Sequence, residues 1–349
     1  MRFVLTILCW INAFTISAQI DSTKPKFSWD AYAGFYYNHD FNQPFNKERP
    51  PFTYNHKQTA TPALNLFFVK STYQSNNFRS NLALMAGDYS KYNLAAEPNF
   101  WQHIYELNAG IKLSKQSNLW LDAGVFASHI GFESAEGLNC WTLTRSMVAE
   151  NSPYYESGIK LGYISVNGAW QLTALLVRGW QNVQQPSANA ALTPAFQISY
   201  TKGKNLFNYS NFFGRMGLSN HRPFRQYHNW YWMHTTSTLS WILCLDLGLD
   251  HYSKHQRSWI TPVAIMRYQL NSKWLLATRY EYFSDTKDAL GYGKLQTSGY
   301  SVNADYKVNH YLTLRGEWKH FNDQNAIFLK DVNSSNRNSN LAFALILAR

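Results

Sequence analysis

The sequence predicts an all-β protein, a transmembrane antiparallel up-and-down β-barrel of about sixteen strands. Three observations predict it. Segments of strict two-residue alternation recur along the chain, each close to the length a tilted membrane strand requires. The connections between them alternate between long and short, and the chain opens with the features of an export leader.

The leader comes first. Arg2 precedes an apolar run over 3–14, and Ile16-Ser17-Ala18 forms a small-residue cleavage pattern before Gln19. The run is shorter than the roughly 20 residues of a spanning helix, so residues 1–18 read as a secretory signal peptide and 19–349 as one barrel domain. Cys9 leaves with the leader. Only Cys140 and Cys244 remain, too few for a disulfide framework and without a C-x-x-C spacing, so a single bridge between them is left open.

Composition narrows the class further. Aromatic residues make up 17% of the chain against 15% charged, at a mean hydropathy of -0.38, and no long apolar window follows Ala18. Tyr, Trp and Phe without spanning helices fit an outer-membrane wall. The net charge of +11 falls to +10 when Arg2 is lost. Such a basic chain suits anionic lipid or anionic solutes, and export argues against nucleic acid.

The strands then follow in order. The first, 27–38, leads into FNQPFNKERPPFTYNHKQTATP, whose four prolines forbid a sheet interior. Strands 63–73 and 78–88 flank a short turn. A long connection reaches 103–113, and the turn at 114–117 leads to 118–128. Next comes the insertion His129 to Tyr155, HIGFESAEGLNCWTLTRSMVAENSPYY. Gly131 and Gly137 break it, 142–151 reads as a short helix, and Pro153 stops that helix. Strands 154–164 and 169–180 join through Val166-Asn167-Gly168, a hairpin signal. After a loop to Pro194, two strands meet at Lys202-Gly203-Lys204, and a loop spans 214–225. Strands 227–237, 241–252, 259–269, 273–283, 297–307 and 311–321 follow. A polar loop through Asn338 and a final strand 340–349 end the chain. An even count places the short turns in the periplasm and the long loops outside.

Alternation assigns the faces. Tyr105, Leu107, Ala109, Ile111 and Leu113 face lipid while Glu106, Asn108 and Lys112 face the lumen. Trp241, Leu243, Leu245, Leu247 and Leu249 likewise oppose Asp246 and Asp250. Aromatics near strand ends (Trp29, Tyr73, Trp170, Trp180, Trp241, Trp259 and Trp274) suit the two membrane interfaces. A soluble sandwich could carry the same pattern, but the leader and the loop lengths favour the barrel.

A barrel this wide leaves an aqueous channel unless something fills it. The third long loop is expected to fold into the lumen, bringing Glu133, Glu136 and Glu150 with Arg145, opposite the basic wall residues Arg79, Lys160, Arg267, Arg279 and Arg315. These form the expected constriction, with a transverse field favouring small polar solutes and mildly favouring anions.

The runs RPPFTYNH (Arg49 to His56), NLALMAGDYSKYNLAAEP (Asn81 to Pro98), NLWLDAGVFASHIGFESA (Asn118 to Ala135), WTLTRSMVAENSPYYESGIKL (Trp141 to Leu161) and YSVNADYK (Tyr300 to Lys307) resemble the β-barrel porin-2, OmpL-like family of outer-membrane proteins. The resemblance covers nearly all of the mature chain and implies an outer-membrane porin with no catalytic residues to carry over. One departure is the ending Leu347-Ala348-Arg349, where outer-membrane strands commonly finish on an aromatic residue.

Two other readings are weighed. A non-conducting barrel would bind a ligand or partner through its extracellular loops. A barrel hydrolase would recruit His103 or His129 with Ser128, Ser134 or Ser146, or pair Glu133 with Glu150, yet no G-x-S-x-G or comparable motif supports it. No H-E-x-x-H spacing suggests a metal, and His221, His228, His251 and His255 read as loop and strand-end polar groups. The expected partners are outer-membrane lipid and small polar or anionic solutes. No cofactor is expected, and self-association into a homo-oligomer is left open.

Overall fold

The computed structural model describes residues 25–184, 192–216 and 223–349. The expected leader and His221 lie outside them. Sixteen strands close into one antiparallel barrel. They are β1 (Lys26–Asp40), β2 (Pro62–Gln74), β3 (Phe78–Ala86), β4 (Ile104–Lys112), β5 (Asn118–Ala127), β6 (Tyr155–Ile164), β7 (Trp170–Val177), β8 (Thr193–Lys202), β9 (Asn205–Arg215), β10 (Phe224–His234), β11 (Leu239–His251), β12 (Gln256–Gln269), β13 (Trp274–Asp285), β14 (Leu295–Lys307), β15 (Leu312–Asp323) and β18 (Arg337–Ala348). Each pairs with its chain neighbour, and β1 closes on β18 from Tyr32↔Ala348 to Asp40↔Asn340. Two further strands, β16 (Phe328–Lys330) and β17 (Asn333–Ser335), form a separate hairpin in the last long loop. No described helix is long and apolar enough to cross a membrane.

The alternation read from the sequence becomes a division between lipid and lumen. On β15, Leu314 and Trp318 are exposed to the outside, while Arg315, Glu317 and Lys319 are buried within. A basic side chain turned to lipid near mid-depth would cost about 2–4 kcal/mol, so the inward placement follows from solvation.

Local departures from the expected elements have identifiable causes. The helix expected over 142–151 shrinks to α2 (Met147–Glu150), because wall side chains capture backbone N–H groups up to and including its first residue. Leu143 N donates to Asn303 Oδ1 at 2.9 Å, Thr144 N to Glu317 Oε2 at 2.5 Å and Met147 N to Glu281 Oε2 at 2.6 Å. The strand expected to reach residue 88 ends at Ala86, and Asp88 opens the short helix α1 (Asp88–Asn93). The strand expected over 227–237 sits three residues earlier, and the last one starts at Arg337 rather than 340.

Three aromatic assignments are corrected. Tyr105 faces inward, because the β3–β4 register shifts between Ala83 and Leu84 and places an extra residue in β4. Its ring stacks on Phe68 at 4.8 Å. Trp259 is only 2% exposed and lies in the lumen, its ring over Gly248, where a Cβ would come within 2.0 Å of it. Trp180 packs on Phe212 and Tyr227 at 5.0 and 4.8 Å instead of marking an interface.

These rings belong to a core inside the barrel. Phe212, Tyr227, Phe283 and Phe321 of the wall pack with Phe52, Met147 and Phe328 of the loops. A second cluster joins Tyr32, Leu66 and Ile346 to Leu143 and Ala149. Burying this apolar surface draws the loops inward by the same force that folds a soluble core.

Candidate functional site in the lumen

Two loops meet inside the barrel, residues 41–61 between β1 and β2 and residues 128–154 between β5 and β6. Gly137 abuts the wall so closely that a Cβ there would lie 2.9 Å from the Tyr32 hydroxyl, which accepts its N–H at 2.8 Å. Nearby, Arg315 Nη1 donates to Gly137 O at 2.5 Å and its Nη2 to Cys140 O at 3.0 Å, while Asp305 holds the same guanidinium at 2.6 Å. Arg315 thus ties the loop's first turn to β15.

Arg279 forms the centre of the contact. Its guanidinium lies 3.0 Å from Glu317, 3.4 Å from Glu281 and 3.9 Å from Glu133 of the loop. It also donates to Thr142 Oγ1 at 2.6 Å and Thr144 O at 2.7 Å. Lys319 reaches Glu281 at 2.7 Å and Arg145 O at 3.1 Å. Burial raises the pKa of Glu133, while Arg279 and a hydrogen bond from Ser146 pull it back.

The other predicted residues occupy different places. Arg145 is fully buried and donates to Ser134 O, Leu143 O and Ala135 O at 2.7–2.9 Å, so it shapes the loop and does not line an opening. Glu136 accepts from Tyr105 and Asn139 at 3.2 Å. Glu150 turns to the first loop, accepting from Tyr54 N at 2.9 Å and from Asn55 N and Nδ2 at 3.2 Å. Arg267 stacks on Trp141 of the loop at 4.3 Å. Arg79 and Lys160 stand apart from these contacts, the first bound to Asp122 at 2.5 Å and the second over the Phe126 ring at 4.5 Å.

The first loop is a participant that the sequence did not reveal. Arg49, Phe52, Asn55 and His56 are all buried, and Phe52 packs edge-on against Phe321 at 5.6 Å. Phe52, set directly after Pro50-Pro51 in a loop that also carries Phe41, Phe45 and Tyr54, was the available signal. Below the docked loops, toward the short turns, lumen-facing Lys70, Arg79, Lys112, Lys160 and Arg267 regain partial exposure. Glu106 pairs with Lys70 at 2.9 Å and Asp122 with Arg79, which leaves this vestibule with a basic excess.

Among the described residues no hydrogen bond joins a candidate serine to a candidate histidine, although Ser128 and His129 both lie beside Glu156. His129 Nε2 meets Asn211 O at 2.8 Å and its Nδ1 lies 4.0 Å from Glu156, whereas Ser134 and Ser146 bond within the loop to Glu136 O and Glu133. His103 Nδ1 engages Met85 O at 3.2 Å. Glu133 and Glu150 serve different partners. Among the described residues no group of three or more His, Cys, Asp or Glu could hold a metal, and Cys140 and Cys244 are buried free thiols.

Comparison with known proteins gives one family match, the model described as "Putative beta-barrel porin-2, OmpL-like", over residues 26–348. No curated protein matches this chain. Among solved structures, the anion-selective porin from Comamonas acidovorans is similar at TM-score 0.63 and 6% identity, covering 93% of this chain and 100% of that one. The outer membrane channel DcaP of Acinetobacter baumannii gives TM-score 0.62 at 8% identity, over 93% of this chain and 97% of that one. OmpT of Vibrio cholerae gives 0.60 at 10%, over 95% and 99%. At such identities these likenesses show the fold alone. The family match spans every described strand, so the chain belongs to the OmpL-like β-barrel porin-2 family and is an outer-membrane porin barrel.

Proposed function

We propose that this porin, exported by removal of residues 1–18, is a diffusion channel for small polar solutes with a mild anion preference. Its resting form is narrowed by the first and third long loops. The observation that carries the reading is the contact between Glu133 of the third loop and Arg279 of the wall, with both side chains buried at the closure. In this proposal Glu133, Glu136, Arg145 and Glu150 set the loop's position, and Arg279, Arg315 and Arg267 receive it. Arg79 and Lys160 act in the basic vestibule beneath. The excess of cations there supports the anion preference, because a charged, low-dielectric cleft concentrates counter-ions. Reversal potentials across a bilayer in a KCl gradient test it. Chloride-favouring values are expected, and a clear cation preference would refute the anion assignment.

A second reading has its own observation. The lumen-facing wall side chains around Arg279, among them Ile265, Ser301 and Lys319, are buried, as a plugged, ligand-binding barrel would have it. Well-inserted protein that stays silent in a bilayer would favour that reading.

A further inference from the structure

Where β15 and β18 rise out of the bilayer, their outward side chains change character. Successive outward register pairs are Leu314↔Leu345, Gly316↔Phe343 and Trp318↔Leu341, then His320↔Ser339 and Asn322↔Arg337. The apolar series ends at Trp318, whose ring is parallel to that of His320 at 6.0 Å, an arrangement suited to the membrane interface. Asn322 and Arg337 stand four residues further, about 13 Å along the strand and so about 9 Å higher for a strand tilted near 45°. That is the level of lipid headgroups.

At this height the β16–β17 hairpin and the start of the first long loop close around a polar cleft of about 740 Å³, lined by Asn42, Asn322, Lys330, Ser334 and Arg337 among others. The backbone of Arg337 is fixed, its carbonyl accepting Asn42 Nδ2 at 2.7 Å and Ser335 Oγ at 2.9 Å. Its guanidinium has no hydrogen bond or ion pair among the described residues, and neither does the Lys330 ammonium. Both are exposed. Asp323 also borders the cleft but is 2% exposed, and its carboxylate is taken by Gln296 N at 2.8 Å, Asn325 N at 2.6 Å and Thr297 Oγ1 at 2.5 Å. Asp331 at the hairpin tip is exposed as well but does not line the cleft, so the charge the cleft itself presents is cationic.

We propose that this cleft binds a phosphate group on the sugar headgroup of an outer-leaflet glycolipid. Arg337 suits bidentate contact to phosphate, Lys330 supplies a second positive charge, and the Asn and Ser side chains match sugar hydroxyls. Exposed Trp318, Phe343 and Leu345 directly below offer an apolar wall for the acyl chains, which assigns the site to a lipid and not to a free anion. The site faces outward, so it stands whether or not the lumen conducts.

The test uses purified full-length barrel in detergent, titrated with an acylated glucosamine disaccharide bisphosphate, its dephosphorylated counterpart, or sodium phosphate, with bound lipid read by native mass spectrometry. Wild-type protein is expected to lose affinity by about tenfold or more when the lipid is dephosphorylated, and K330Q/R337Q to lose as much toward the phosphorylated lipid. K273Q/K307Q, with the same charge change at the periplasmic end, is expected to bind as wild type. Equal binding of both lipids by wild-type protein would overturn the proposal without any variant. So would unchanged binding by K330Q/R337Q, or competition by sodium phosphate alone at the lipid's own working concentration.

Discussion

Arg279 Nη2 lies 3.0 Å from Glu317 Oε1, and each of these residues also holds the backbone of the third loop, Arg279 through Thr144 O at 2.7 Å and Glu317 through Thr144 N at 2.5 Å. A wall ion pair thereby clamps one loop residue from both sides. The barrel and its closure share the same charges.

Replacing Arg279 by Met removes the cation while leaving Glu133, Glu281 and Glu317 buried together. Breaking a buried pair from one side costs about 3–5 kcal/mol, here borne mainly by loop docking. Single-channel recordings of R279M are expected to show larger and more frequent open steps than wild type. Double-variant R279M/E317Q, which removes part of the stranded charge, is expected to recover some of the closure.

Glu150 joins the two loops. E150A leaves Asn55 and Tyr54 N–H groups unsatisfied, a loss of about 1–3 kcal/mol per charged contact. Faster amide exchange is expected across residues 41–61, with β1 and β2 unaffected. Equal protection in both proteins would show that the two loops dock independently.

Acidification acts on the docked loops through histidine. Burial lowers the His129 pKa to about 4 and holds that of His56 well below 6.5. The 4.0 Å approach of Glu156 to His129 is too long to act as a hydrogen bond that would offset this. With folded pKa values depressed, the unfolded loop binds protons first as the pH falls. Stability is then full above about pH 6.5 and is lost progressively toward pH 4, by on the order of 3 kcal/mol for His129. Loop protection measured by hydrogen exchange should fall across that window in wild type, and less steeply in H129Q.

The strand pattern was legible because solvation forces it: Leu312, Leu314 and Trp318 must alternate with Arg315, Glu317 and Lys319 whatever the loops do. The inward third loop was also legible, from its length and from charges such as Glu133 and Arg279 that needed partners. The docking chemistry was less so. Asn303, Glu281 and Glu317 receive backbone N–H groups of the loop, and backbone donors leave no trace in side-chain identity. The inward rings of Trp259 and Tyr105 depended on neighbours in the register, Gly248 for one and an extra residue in β4 for the other.

The buried thiols provide a spectroscopic report. Burial raises the pKa of the Cys140 thiol, and neither cysteine is bridged. Thiol titration with a small maleimide is expected to be slow for both residues in native protein and to quicken at Cys140 in R279M, where the loop is released.

In the proposed reading, docked loops close the lumen within an otherwise complete sixteen-strand wall. Planar-bilayer conductance of full-length protein, compared with a variant in which residues 137–152 are replaced by a short Gly-Ser linker, tests it most directly. Small or rare steps are expected for the full chain and a several-fold larger conductance for the variant. Identical conductance in the two proteins would contradict it.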